Sequence, residues 1–391
     1  MRNFTTSPRV AGLYLHIPFC KQACHYCDFH FSTALGRKQQ VVQALVREME
    51  LRRDYLGGEE LQTIYFGGGT PSLLTAAELT TLFEAIYRNF SVAPEAEVTL
   101  EANPDDLTPA KLHELAASPV NRLSIGLQSF HEPHLRRMNR AHSAEESRRS
   151  VLTAQDAGFE NISIDLIYGV PADGDHTIWQ QDLRAAVALQ VPHLSCYALT
   201  IEPQTVFGRQ QRKGLFRSAP DEFVARQFEL LLETAVEHGY EQYEISNFAQ
   251  PGRHSRHNSS YWQGVPYLGL GPSAHSFDGQ SRQYTVASNT QYVQAVLERN
   301  ELPATHEALS PIDRANEYLM TSLRTSAGCN LAYLRQHLGV DLVAQHPAYL
   351  QQLQHDGWAT LTDDTLRLTD RGKLLADQIT LELFLAPQVA K

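Results

Sequence analysis

The chain has 391 residues, 42% of them hydrophobic and 20% charged, with a net charge of −11. That length accommodates one large domain and a smaller one, and the composition is that of a folded protein rather than a disordered one. The acidic balance argues against a nucleic-acid partner or anionic membranes; no run approaches a transmembrane segment, and MRNFTTSPRV lacks the apolar stretch of a signal peptide.

Taken in order, an apolar run from Leu13 to Ile17 predicts a first strand, which Pro18 ends. Cys20, Cys24 and Cys27 follow on a loop, spaced C-x3-C-x2-C. Apolar residues at helical spacing cover 39–56. A strand at 63–66 leads into Gly67-Gly68-Gly69-Thr70-Pro71, and Thr75 and Glu78 have the capping-box spacing of a helix over 75–89. Further strands are predicted at 97–101, 122–126, 161–167, 193–197 and 243–246, with helices at 143–157, 177–189 and 221–238 between them. Alternation of this kind implies an α/β fold with a parallel sheet and helices packed outside it.

A partial (β/α)6-type barrel is favoured over a doubly wound sheet. Polar residues recur at or just after successive strand ends, at Cys20, Thr70, Glu101, Gln128, Asp165 and Thr200, and barrel sites are built from such ends. From about residue 303 the pattern changes to helices at 312–323, 331–338 and 346–355, a hairpin turning at Asp363-Asp364, and a closing helix from Asp370. This predicts a domain over 1–302 and a small winged-helix-like domain over 303–391. The small domain shows no excess of basic residues, so packing or covering the barrel is its expected role.

Five cysteines, three within eight positions, argue against a disulfide framework and for a reducing, cytoplasmic setting. Three thiolates on one loop suit a metal centre. Zinc would want a closed fourth ligand, for which His16, His25 and His30 are near in sequence. A [4Fe-4S] cluster wants thiolates, and three of them leave one iron open to a small chelating molecule. Glycines at 67–69 let a ligand's polar end approach the backbone, although the same turn serves as a tight connection. Cys196 and Cys329 read as buried small hydrophobes.

C-x3-C-x2-C after a first strand, with Tyr26 before the third cysteine, resembles the radical S-adenosylmethionine (SAM) superfamily. The resemblance implies a [4Fe-4S] cluster on Cys20, Cys24 and Cys27, SAM chelated at the open iron, a reductive cleavage giving a 5′-deoxyadenosyl radical, and an electron donor. YLHIPFC, FGGGTPS, LEANPDDL, RLSIGLQSF, NRAH, DLIYGVP and LTIEP resemble, in order, the coproporphyrinogen dehydrogenase branch and its relatives, the heme chaperone group. Carried over, Tyr14, Gly68 and Glu101 contact SAM at the cluster. Tyr26, Gly69, Thr70, Gln128, Arg140 and Asp165 match positions lining a second SAM site in the dehydrogenase.

The dehydrogenase continues its motif to a fourth cysteine, where this chain has Phe29, and it has a longer segment before the first strand. His257-Asn258-Ser-Ser-Tyr261-Trp262 resembles the H-N-x-x-Y-W of the chaperone group. The resemblance therefore implies heme, with His257 as a candidate ligand and His254 and His275 as rivals, delivered to a heme-accepting protein. The competing reading of His257 is a polar residue stabilising the barrel edge. The rival function is an oxygen-independent coproporphyrinogen III oxidase.

Overall fold

The computed structural model describes residues 10–172 and 175–386. Six parallel strands form its centre: β1 (Val10–Ile17), β2 (Glu60–Gly68), β3 (Val92–Ala102), β4 (Arg122–Gln128), β5 (Ile162–Tyr168) and β6 (His193–Ala198). Beyond them lie β7 (Glu241–Glu244), β8 (Asn247–Ala249), β9 (Tyr267–Leu270), β10 (His275–Phe277), β11 (Ser281–Thr285) and β12 (Ala304–Ala308). All belong to one sheet, ordered β12-β11-β10-β9-β1-β2-β3-β4-β5-β6-β8-β7. The α/β barrel is therefore partial: β1 pairs with β9 and β6 with β8, and the two edges do not pair with each other.

Each central strand alternates with a period of two. Leu13, Leu15, Ile64, Phe66, Val98, Leu100, Leu123, Ile125, Ile162, Ile164, Leu194 and Cys196 point outward and are buried beneath the helices. The opposite set is polar or small: Gly12, Tyr14 and His16; Thr63, Tyr65 and Gly67; Glu97, Thr99 and Glu101; Arg122, Ser124 and Gly126; Ser163 and Asp165; His193 and Ser195. Cross-strand bonds fix this second set on one concave side. Tyr65 donates to Glu101 at 2.8 Å, Ser124 to Asp165 at 3.3 Å, and Ser163 Oγ lies 2.7 Å from His193 Nδ1.

Local chemistry sets the helix starts. Full capping boxes, Thr75 with Glu78 and Ser143 with Glu146, open helices Ala76–Asn89 and Ala144–Asp156. The strand expected at 243–246 is instead β7, an edge strand turning back antiparallel into β8. The stretch after β6 contains a further helix, Val206–Arg212.

The C-terminal region has its own core, including Ala315, Leu319, Leu334, Leu353, Leu366 and Ile379. Its antiparallel sheet joins β13 (Cys329–Asn330), β14 (Ala359–Thr362) and β15 (Thr365–Leu368) in the order β13-β15-β14. Asp363 and Asp364 both take positive φ, as the two-residue hairpin turn requires. The closing helix expected from Asp370 is broken into Asp370–Lys373 and Ala376–Leu383. Backbone bonds dock this region on the barrel edge: Ile245 N–H donates to Arg324 O at 3.0 Å and Ser326 N–H to Tyr243 O at 3.1 Å. Among the described residues no helix is long and apolar enough to cross a membrane.

Candidate cluster and ligand site

Cys20, Cys24 and Cys27 lie on the loop after β1, half-buried, with free thiols. The loop is held at both ends. Cys20 N–H donates to Ser32 O at 3.1 Å and Ser32 N–H to Pro18 O at 2.9 Å. Further along, His25 N–H donates to Met138 O at 3.0 Å, Asn139 Nδ2 to Ala23 O at 2.7 Å, and Gln22 Nε2 to Asn139 O at 2.9 Å. The asparagine of NRAH is thus a clamp on the cysteine loop, a role its sequence context does not reveal.

Among the described residues no three His, Cys, Asp or Glu side chains gather tightly enough to hold a single metal ion. A cubane cluster binds each thiolate to a different iron and wants the sulfurs apart. Burial pushes Cys20 up to about 11, against a lowering bond from Thr70, and pushes Cys27 up to about 12. Metal-free, these two are thiols at neutral pH, so cluster assembly releases protons. The donors already aimed at sulfur suit thiolates: Thr70 Oγ1 lies 3.4 Å from Cys20 Sγ, and Arg140 Nη1 lies 3.2 Å from Cys24 Sγ.

Arg140 gathers the neighbouring positions. Its Nη2 donates to Asn103 Oδ1 at 2.6 Å and to Gly126 O at 2.8 Å, its Nη1 reaches Tyr26 Oη at 3.4 Å, and its buried Nε has no partner among the described residues. Asn103 in turn donates to Thr70 Oγ1 at 3.2 Å. Gln128, at the end of β4, takes a positive φ of 68°. Tyr26, Thr70 and Arg140 are therefore in one bonded group, with Gln128 beside Gly126.

Glu101 anchors a second group, accepting from Tyr65 Oη at 2.8 Å and from Gly68 N–H at 3.1 Å. A Cβ on Gly67 would lie 2.8 Å from Tyr65, 3.0 Å from Tyr14 and 3.1 Å from Glu101, so the bare glycine keeps this space open. Tyr14 donates to His16 Nδ1 at 3.1 Å, and His16 Nε2 to His30 O at 2.8 Å. An orphaned buried guanidinium nitrogen and a glycine-cleared cradle bordered by a carboxylate fit a ligand carrying both carboxylate and ammonium groups, as SAM does.

Two expectations change. The N–H groups of the glycine turn do not wait for a ligand: Gly68 donates to Glu101, Gly69 to Ile17 O at 3.0 Å and Thr70 to Phe19 O at 2.7 Å. The glycines instead let the cysteine loop lie against the turn. A Cβ on Gly69 would lie 2.7 Å from both Ile17 O and Phe19 N, all backbone. We expect Gly69→Ala to displace the loop, costing about 1–3 kcal/mol and lowering iron retention after reconstitution. Full iron loading and unchanged thermal stability would contradict this.

His257 sits inside the wall of the barrel. It is 1% exposed, its Nδ1 lies 2.8 Å from Thr63 Oγ1, its Nε2 lies 2.9 Å from Tyr261 Oη, and its ring stacks on Tyr65 at 4.9 Å. Its own N–H donates to Glu97 at 3.0 Å. Both ring nitrogens are committed inside the wall, so an axial bond to heme would first have to break a buried one. HNSSYW, on the helix Arg256–Trp262, plugs the barrel at the N-terminal ends of β2 and β3. Thr200 also departs from the site: exposed beyond β6, it lines a groove of about 790 Å³ shared with Trp358 and Arg371 of the C-terminal region.

The polar interior extends beyond the strand ends. Its signal is the alternation in RLSIGLQ, where every second residue is polar or small, and in Ile162-Ser163-Ile164-Asp165 at the start of β5. Arg122 is 1% exposed, and its Nε and Nη2 have no partner among the described residues. Burial, reinforced by Asp165, raises Glu101 from 4.5 to about 7, and burial raises Asp165 from 3.8 to about 6. The folded state thus holds these protons more tightly than the unfolded chain. Stability falls as pH rises from the ordinary carboxylate range to about 7, and the cost, on the order of 3 kcal/mol for Glu101, is full above it. Urea unfolding of the ligand-free protein at about pH 5 and about pH 8 checks this. Glu101→Gln should shrink the loss, and an equal loss in the variant would refute it.

A radical SAM superfamily profile matches residues 14–180, and a HemN C-terminal domain profile matches residues 309–375. Fold and cysteine loop together are those of a radical SAM protein with an appended HemN-type domain. The heme chaperone HemW of Bacillus subtilis (strain 168) is 34% identical over 369 residues, covering 94% of this chain and 97% of that protein. The heme chaperone HemW of Escherichia coli (strain K12) is 33% identical over 383 residues, covering 96% and 98%. The chain belongs to the HemW family. The solved structure of E. coli coproporphyrinogen III oxidase (HemN) shares the fold, with a TM-score of 0.81 at 24% identity over 97% of this chain and 91% of that one.

Proposed function

We propose that this chain is a cytoplasmic heme chaperone. It carries a [4Fe-4S] cluster on Cys20, Cys24 and Cys27, binds SAM beside it, holds heme and passes it to an acceptor protein. End-to-end similarity to proteins named heme chaperones carries this reading. Phe29 supports it: this side chain is 72% exposed, where the dehydrogenase pattern has a further cysteine.

In this reading the cluster, reduced by an external donor, supplies an electron and an open coordination position. Tyr14, Gly68 and Glu101 border SAM at the cluster, and Tyr26, Gly69, Thr70, Gln128, Arg140 and Asp165 complete the pocket. Glu101 accepts from ribose or ammonium groups, and Arg140 orients a carboxylate while steadying Cys24. Residues 303–391 act as a separate packing domain over residues 1–302.

An oxygen-independent coproporphyrinogen III oxidase is the second reading, favoured only by the gathering of the same SAM-bordering residues. Hemin titration of the purified chain tests the first. A saturable Soret band at about one heme per chain is expected, and binding no better than a non-heme control protein would overturn it.

A further inference from the structure

The concave side of the sheet does not stop at β1. Register carries it outward: Tyr14 pairs with Gly269, Tyr267 with Phe277, His275 with Tyr284, and Phe277 with Arg282. Paired residues share a face, so Tyr14, Gly269, His275 and Tyr284 line one continuous surface. His275 sits at the start of β10, directly after the turn that follows the C-terminal end of β9. That places it at the same end of the sheet as the cysteine loop, near enough to His16 to help lower that residue's pKa.

Three histidines on this side are closed. His16, His193 and His257 each have both ring nitrogens within hydrogen-bond distance of a partner. His275 is exposed, and among the described residues neither of its ring nitrogens has a hydrogen-bond partner. His254 stacks on Tyr243 at 4.2 Å, and Tyr243 bonds His193 at the opposite end of β6. The His275 ring lies 5.8 Å from Tyr284, which is 41% exposed and offers a flat aromatic surface beside it. Packing and Arg282 hold the imidazole below its ordinary pKa, so it is neutral at pH 7 with a lone pair to give.

The position is built rather than incidental. Glu48 accepts from Gly271 N–H at 2.8 Å, and Arg52 donates to Gly269 O at 3.0 Å and to Ser276 Oγ at 3.1 Å, pinning both sides of the turn that carries His275.

We propose that His275 is the axial ligand for heme, which docks on the concave sheet beside the cysteine loop with Tyr284 against the macrocycle. This rests on the heme-carrier reading. The test is hemin titration of the full chain and of His275→Ala, His257→Gln and His254→Ala, read by the Soret band and by electron paramagnetic resonance of the ferric iron. His275→Ala should lose the imidazole-ligated spectrum and at least about tenfold in affinity, with added imidazole restoring the spectrum. His257→Gln and His254→Ala should keep both. An unchanged imidazole-ligated spectrum in His275→Ala overturns the assignment while leaving the chaperone reading intact. Absence of heme binding by the unsubstituted chain overturns the chaperone reading itself.

Discussion

Cys24→Ala should come out of anaerobic reconstitution almost free of iron, against about four iron atoms per chain for the unsubstituted protein. Three thiolates are the minimum set on this loop, since Cys196 and Cys329 are buried in separate cores. Loss of the Cys24 sulfur also removes one partner of Arg140, whose Nη1 donates to it at 3.2 Å. Circular dichroism should change little, because Pro18, Ser32, Met138 and Asn139 hold the loop independently of metal. Iron and sulfide analysis decides the matter: full loading of Cys24→Ala would exclude the three-cysteine site.

The second large effect lies away from the cysteines. Glu48 and Arg52, 1% and 4% exposed, form an ion pair at 3.3 Å on the helix Lys38–Leu51 and the residue following it. Tyr292 donates to Glu48 at 2.6 Å, and Arg52 also reaches Gln283 at 2.9 Å. Removing one member of such a buried pair leaves the other charge desolvated, at a cost of about 3–5 kcal/mol. Glu48→Ala should therefore lower stability by that amount, with Glu48→Gln recovering part of it by keeping the bonds from Gly271 and Tyr292. Gly271 has little freedom to compensate, since its φ is +104° and a Cβ there would lie 2.7 Å from His16 O. A loss below about 1 kcal/mol in urea unfolding would show that the network does not hold the turn.

Much of this architecture is legible in the residues. The βα alternation, the capping boxes at Thr75 and Ser143, and the turn at Asp363-Asp364 are local patterns, and local patterns survive into the fold. The same holds for the cysteine loop after the first strand. What the sequence conceals is non-local. His257 looks available in HNSSYW because its partners, Thr63, Glu97 and Tyr65, lie far away in sequence. The N–H groups of the glycine turn look available to a ligand until Glu101, Ile17 and Phe19 are seen to take them. Strands β9 to β12 are three to five residues long and interrupted by glycine and proline, so no periodicity announces the sheet extension that carries His275.

Heme carriage and porphyrinogen oxidation make opposite demands on the same sample. One reconstituted sample with verified iron, reduced and supplied with SAM, should be divided between hemin and coproporphyrinogen III under anaerobic conditions. For a heme carrier, saturable heme binding and no decarboxylated porphyrinogen product are expected. Decarboxylation of coproporphyrinogen III without heme binding would overturn the proposed function.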